Sequence, residues 1–304
     1  MSINLTILGC HSATPRVNAH PTSQFLEIKN HLFLIDCGEG TQVQLRKYSV
    51  RFSKIKHIFI SHLHGDHFYG LPGLISTFRL LKRETELHIY APKGLKKLIT
   101  LQLKLANSWT EYPLIFHELN SIESELIFED DTVEVHTIPL RHRVYTNGFL
   151  FKEKLGERKL NIEKVSEYPE IEICDYQNLK NGRDFLLSNG EVIKNDELTS
   201  APPNPKSYAF CSDTAFHPEI VPIIKNVDCL YHESTFLNDK EHLTETTKHS
   251  TAAQAAEIAK MANVKQLVIG HYSSRYKSKE GFEKEAKTVF ENTLLAEEGK
   301  TFKF

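Results

Sequence analysis

No stretch of this 304-residue chain approaches the roughly 18 uninterrupted apolar residues of a membrane span. Its first residues, Met1-Ser2-Ile3-Asn4-Leu5-Thr6, lack the charged-then-apolar order of a signal peptide. Together these absences lead us to expect a cytoplasmic protein with no membrane partner. Cysteine is sparse: Cys10, Cys37, Cys174, Cys211 and Cys229 are odd in number, widely spaced and without a C-x-x-C pair. That pattern argues for reduced thiols, some of them core fillers, rather than a disulfide frame. An excess of one charge is missing too: 37 Lys and Arg stand against 39 Asp and Glu, a net charge of −2, so nothing global signals nucleic acid and any polyanion site must be local. No short-period internal repeat is present. What remains, 40% hydrophobic and 25% charged residues, is an ordinary globule with ample material for a core.

The stretch Ser61-His62-Leu63-His64-Gly65-Asp66-His67 organises the rest. It follows the apolar run Ile58-Phe59-Ile60, so its side chains should sit on a loop leaving the C-terminal end of a buried strand, where open α/β sheets place their ligand sites. Three imidazoles and a carboxylate so close together exceed what one tetrahedral zinc takes from a single loop, and two metals are expected. Three further candidates stand at strand ends: His142 after Thr137-Ile138-Pro139-Leu140, Asp213 after Ala209-Phe210-Cys211, and His271 after Leu267-Val268-Ile269-Gly270. One metal would take His62, His64 and His142, the other Asp66, His67 and His271, with Asp213 bridging them across the roughly 3.5 Å of two-metal hydrolases. His136, inside a strand pattern, is given no site role.

The wider pattern alternates strands and helices. Strands are expected near residues 3–7, 25–28, 31–35, 58–60, 87–90, 114–118, 125–128, 132–138, 207–211, 229–231 and 266–269, and helices near 41–47, 73–81, 93–105, 250–262 and 281–295. Such alternation in both halves predicts an α/β fold of two halves packed sheet to sheet with helices outside. Residues 151–200 differ: they are charged throughout, with 8 Lys and Arg against 11 Asp and Glu, and have few apolar runs. They read as an inserted, projecting arm with little core of its own, closed by Ala201-Pro202-Pro203-Asn204-Pro205. A local basic stretch between Arg79 and Lys104 could offer a stripe to RNA phosphates.

The histidine loop with His142, Asp213 and His271 resembles the metallo-β-lactamase superfamily, an αββα sandwich of two-metal hydrolases. Four motifs narrow the resemblance to the short form of tRNase Z (ribonuclease Z): Leu34-Ile35-Asp36-Cys37-Gly38-Glu39-Gly40-Thr41-Gln42, His232-Glu233-Ser234-Thr235, His249-Ser250-Thr251, and Gly270-His271-Tyr272-Ser273-Ser274-Arg275-Tyr276. It covers nearly the whole chain and implies a single domain, 1–304, carrying the arm at 151–200 as a tRNA-binding exosite. It further implies two Zn²⁺ per subunit, homodimers, and removal of the 3′ trailer from precursor tRNA after the discriminator base by metal-activated hydroxide, leaving a 3′-hydroxyl. In that light His62, His64, His67, His142, Asp213 and His271 match metal ligands and Asp66 matches a ligand that is also the general base. Glu233 and His249 match the pair that protonates the departing oxygen, and Arg275, Ser250 and Thr251 are candidate RNA contacts. The chain departs from the family at Pro15-Arg16-Val17-Asn18-Ala19-His20, where Ala19-His20 replaces Arg-Asn, and at Ser212 and Ser234, where Gly and Ala are usual.

Overall fold

The structure, a computed structural model, describes residues 3–304. Two seven-stranded mixed sheets carry the fold. The first runs Thr301–Lys303, Asn4–Gly9, Ser23–Ile28, His31–Ile35, His57–Phe59, Leu87–Pro92, Leu114–Leu119. The second runs Thr293–Leu295, Gln266–Gly270, Cys229–Glu233, Ser207–Cys211, Asn147–Glu153, Val133–Pro139, Leu126–Glu129. Strand period explains the layering, because alternate side chains leave opposite faces. In the first sheet Leu5, Ile7, Phe33, Ile35 and Phe59 enter the large core between the sheets. Leu8, Leu34, Ile58 and Ile60 enter a second core beneath the helices Thr41–Lys47, Leu71–Leu80 and Leu95–Leu105. At 33–35 and 58–60 both faces are therefore buried, which is why Phe33-Leu34-Ile35 and Ile58-Phe59-Ile60 read as continuous apolar runs, whereas in the first strand Ile3, Leu5 and Ile7 alternate with Asn4 and Thr6. On the far side, Ala252, Ala255, Ala256, Ile258 and Ala259 of the helix Ala252–Met261, with Phe282 and Ala286 of Glu280–Lys287, complete the core. The result is an α/β sandwich.

Four cysteines are buried and all five are free thiols, in keeping with the spacing argument. Among the described residues no helix is long and apolar enough to cross a membrane. One expectation needs correction, and one strand was not foreseen. The last helix, expected to reach Leu295, ends at Lys287, and Thr293, Leu294 and Leu295 pair with Leu267, Val268 and Ile269 as an edge strand. An open sheet edge there outweighed a helical apolar spacing. Thr301–Lys303, not expected at all, pairs with Asn4–Thr6.

Residues 153–205 form a compact unit by themselves. Its core is larger than its charge suggested: Val165, Ile171, Leu179, Ile193 and Leu198 are buried, with Leu160, Tyr168, Tyr176, Phe185 and Leu187 packed against them. Asn195 pins this unit internally, its amide donating to the carbonyls of Leu179 and Arg183, each at 2.8 Å.

At the end of the first sheet away from the histidine loop, His57 stacks on His88 at 5.0 Å and meets His31 and Phe128 edge-on or tilted. Burial, then the nearby His88, His31 and His117, push its pKa down to about 3. Asp130 faces His31 at 2.6 Å and Glu86 faces His88 at 3.2 Å, so neither carboxylate pairs with His57 itself. The folded chain thus keeps His57 neutral where the unfolded chain, with a His pKa near 6.5, takes up a proton, and stability should fall as pH drops from about 6.5 towards 3. In urea titrations of metal-free protein, His57→Phe should lose less stability between pH 7 and pH 4.5 than the parent does. Parallel pH profiles would show that His57 does not contribute this sensitivity.

Candidate metal centre

The parallel strands of both sheets end at one place. His62 follows His57–Phe59, Asp213 follows Ser207–Cys211, Glu233 ends Cys229–Glu233, and His271 follows Gln266–Gly270 with φ at +64°. His64 precedes a short helix, Gly65–Phe68, that places Asp66 and His67. His142 arrives on the loop between Val133–Pro139 and Asn147–Glu153.

These residues converge as two sets. His62, His64, His142 and Asp213 present one ligand atom each within 4.8 Å of one another, as do Asp66, His67, Asp213 and His271. In the first set, His64 Nδ1 is 3.0 Å from His62 Nε2 and 3.2 Å from His142 Nε2. Asp213 Oδ2 lies 3.6 Å from His62 Nε2 and 3.9 Å from His142 Nε2. In the second, Asp213 turns its other oxygen, Oδ1, to His67 Nε2 at 3.4 Å and His271 Nε2 at 3.2 Å, while Asp66 Oδ2 stands 3.3 and 3.5 Å from the same nitrogens. Ligands about 2.05 Å from a tetrahedral ion sit about 3.3 Å apart, so both sets have the spacing of coordination shells.

The donor chemistry also fits a metal. His67 Nε2 and His271 Nε2 are buried with no hydrogen-bond partner, an arrangement that is costly unless something else occupies the lone pair. Burial opposes charge on His67, yet Asp213, Asp66 and Asp36 together drive its pKa well up. Burial likewise opposes ionisation of Asp213, but His271, His67, His249 and His62 hold it well below the usual carboxylate range. A buried carboxylate shared among imidazoles is the electrostatic environment a cation would satisfy.

Three of the ligand histidines are aimed by partners behind them. Asp36, fully buried at φ +54°, accepts from the Ser61 amide at 2.7 Å and hydroxyl at 2.9 Å and faces His67 Nδ1 at 2.7 Å. His142 Nδ1 faces the Lys248 carbonyl at 2.8 Å, and His271 Nδ1 faces Thr235 Oγ1 at 2.8 Å. Asp36 and Thr235 lay inside recognised motifs, but neither carried an expected role. The acidic spacing alone gave no signal of which histidine Asp36 would orient.

Glu233 and His249 join the centre as a pair. His249 Nδ1 is 2.9 Å from Glu233 Oε1, and its Nε2 faces Asp213 Oδ2 at 4.0 Å. Glu233, wholly buried, also accepts from the amides of Thr214, Ser250 and Thr235 and from the Thr235 hydroxyl. Burial opposes a charged imidazole, but the carboxylates of Glu233 and Asp213 outweigh it and push the His249 pKa up to about 9.

A cleft of about 380 Å³ opens over the centre, lined by His64, Asp66, Asp213, His249, His271, Arg143 and Arg275 among others. Of the three residues expected to touch RNA, only Arg275 lines it. Ser250 and Thr251 are fully buried and differently employed: the Ser250 hydroxyl donates to the Thr214 carbonyl at 2.7 Å, and Thr251 caps the helix Ala252–Met261 in a reciprocal box with Gln254. His136 stays outside the centre, 3.2 Å from Glu134.

Comparisons with known proteins give the chain's relatives. A family model described as Anti-Pycsar protein Apyc1 matches residues 3–168, a stretch that includes the histidine loop and His142 but stops short of Asp213, Glu233, His249 and His271. Ribonuclease Z of Bacteroides fragilis is 48% identical over 294 residues, 97% of this chain and 96% of that one, so its likeness spans the whole centre. Among solved structures, human tRNase Z, short form, is 25% identical with a TM-score of 0.72, covering 98% of each chain. The metallo-β-lactamase fold protein YhfI of Bacillus subtilis, at 18% identity and a TM-score of 0.69, shares the fold. At 48% identity over nearly the full length of both chains, the chain belongs to the ribonuclease Z family.

Proposed function

We propose that this chain is a metal-dependent endoribonuclease that removes the 3′ trailer from precursor tRNA, cutting after the discriminator base and leaving a 3′-hydroxyl. The observation that carries the reading is the Glu233–His249 pair set beside two ligand sets that share Asp213. A phosphodiester with a ribose leaving oxygen needs both electrophilic help and a proton donor, and this arrangement supplies residues for each. The relatives named Ribonuclease Z, at 43–48% identity over nearly the whole chain, favour RNA over another ester.

The residues then take these roles. His62, His64, His142 and Asp213 would hold one metal ion, and Asp66, His67, His271 and Asp213 the other; two Zn²⁺ per subunit suit a set of imidazoles and carboxylates. When bound, such ions lower the pKa of an attacking water and offset charge on the phosphate. Asp66 takes the water's proton. His249, oriented by Glu233, gives a proton to the departing 3′ oxygen of the discriminator nucleotide. Arg275, at the rim of the cleft, contacts an RNA phosphate. Asp36, Thr235 and the Lys248 carbonyl keep the imidazoles aimed while this happens.

Homodimers, a cytoplasmic site of action and a tRNA grip in residues 153–205 complete the proposal. The exposed Val43, Leu80 and Leu81 on the helices Thr41–Lys47 and Leu71–Leu80 and at its end support a self-association surface. Four buried free thiols suit a reducing compartment. Within the second sheet, Lys152 lies directly opposite Ser207, so a short Gly-Ser linker can replace residues 154–204 without stretching the ladder. No proposed ligand is removed. Remote binding energy supports turnover only for substrates long enough to reach it. Precursor tRNA cleavage by that variant should fall at least about tenfold, the equivalent of roughly 1.4 kcal/mol. Hydrolysis of bis(p-nitrophenyl) phosphate should persist. Normal tRNA processing by a folded, metal-loaded deletion variant would move the grip elsewhere, the basic face of Leu95–Leu105 with Lys96, Lys97 and Lys104 being next in line.

A further inference from the structure

Arg143 directly follows His142 and has no part in the roles assigned so far. Its loop is fixed on both sides. The Arg141 amide donates to Thr214 Oγ1 at 3.1 Å, the Ala215 amide donates to the Arg141 carbonyl at 2.9 Å, and Leu140 donates to the Thr146 carbonyl at 3.1 Å. His142 itself is held by the Lys248 carbonyl. The fixed backbone sets where the Arg143 side chain departs, and that side chain lines the cleft with His64 and His249. Its positive charge bears on both of those imidazoles.

Among the described residues, no carboxylate or carbonyl pairs with Arg143, although it is exposed and the chain carries more acidic than basic residues. Arg51, Arg79 and Arg141 likewise show no side-chain hydrogen bond or ion pair among the described residues, but none of them lines the cleft, and several other arginines are engaged. Arg83 donates to the carbonyls of Thr85, Ser53 and Glu86, Arg16 to that of Tyr276, and Arg158 to Asp196. Arg275, on the same cleft, leans on Ser273. A guanidinium presents a rigid fork of donors that matches phosphate oxygens two at a time, so an unpaired one beside a phosphodiester-cleaving centre is a ready anion receptor.

We infer that Arg143 binds the phosphate on the 5′ side of the discriminator nucleotide, the neighbour of the scissile phosphate on the departing-oxygen side. This rests on the proposed function above. The side follows from the proton donor: His249 must face the departing 3′ oxygen, and Arg143 stands by His249 and by the ligand set of His64 and His142. The strand that continues from that oxygen towards the tRNA body therefore passes Arg143, and its first phosphate is the anion within reach. The contact positions the discriminator nucleotide and sets which bond meets His249.

The test pairs a protein change with a substrate change. Precursor tRNA is made with either a normal phosphate or a neutral methylphosphonate at that one linkage, and kcat/KM is measured for parent, Arg143→Ala and Arg143→Lys, with metal content checked in each. For the parent, the neutral linkage should lower kcat/KM roughly ten- to a hundredfold, the worth of a charge-assisted hydrogen-bonded contact. Arg143→Ala should show a similar loss on the normal substrate and almost none further on the neutral one, and Arg143→Lys should fall between. The salt dependence of binding should flatten by roughly 0.7 to 0.9 in log–log slope in Arg143→Ala, one phosphate contact fewer. Additive losses from protein and substrate changes would overturn the assignment while leaving the cleavage reading intact. A parent protein that cannot cut the normal substrate would instead overturn the function, and this contact with it.

Discussion

His249→Ala is expected to retain its metals and to cut precursor tRNA roughly 10²- to 10⁴-fold more slowly, the usual contribution of a positioned general acid. The imidazole is not in either four-residue ligand set around Asp213, and its Nδ1 is committed to Glu233 at 2.9 Å, so removing it should leave both sets in place. What it removes is the proton for the departing ribose oxygen. An alkoxide is a poor leaving group and p-nitrophenolate a good one, so the same variant should hydrolyse bis(p-nitrophenyl) phosphate with a far smaller loss. The two substrates are therefore compared on one enzyme preparation of known metal content. Equal losses on both would remove the acid role from His249, and loss of metal would make it a ligand instead.

Asp213→Asn should be more damaging, and in a different way. One oxygen of Asp213 faces His62 and His142 and the other faces His67 and His271, so a single side chain closes both sets. An amide of the same shape offers one weak acceptor in place of two anionic ones and cannot screen two dications from each other. Losing an outer partner of a metal ligand already costs about 10- to 100-fold in affinity or activity, and losing the shared ligand should cost more than that. Elemental analysis should show depletion of metal below the parent value from both sets, together with loss of activity on RNA and on the nitrophenyl ester alike. A variant that loses metal from one set only would place Asp213 in a single shell.

The centre was legible in the sequence where its residues are contiguous or punctuate apolar strands. Four potential ligands in one loop after Ile58-Phe59-Ile60, and single ligands after the strands ending at Cys211 and Gly270, mark themselves because strand termini expose what the strand interior cannot. The residues behind them were not legible in the same way. Asp36 and His67 are 31 positions apart and meet only when the strands His31–Ile35 and His57–Phe59 pair in parallel. The Lys248 carbonyl that holds His142 has no side-chain signature at all. Ser250 and Thr251 show the opposite error: a motif adjacent to His249 suggested substrate contacts, whereas helix capping and a buried hydrogen bond employ both hydroxyls. In residues 153–205 the buried Val165, Ile171, Leu179, Ile193 and Leu198 follow no single helical or strand period, so charge dominated the reading and the small core stayed hidden.

The most direct test of the account is the mapping of product ends after metal-loaded protein is incubated with a 3′-extended precursor tRNA, with and without chelator. The account predicts one chelator-sensitive cut immediately after the discriminator base, with a 3′-hydroxyl on the tRNA and a 5′-phosphate on the trailer. Cleavage elsewhere, a 3′-phosphate or cyclic phosphate on the tRNA, cleavage unaffected by the chelator, or hydrolysis of bis(p-nitrophenyl) phosphate with the RNA left intact would contradict it.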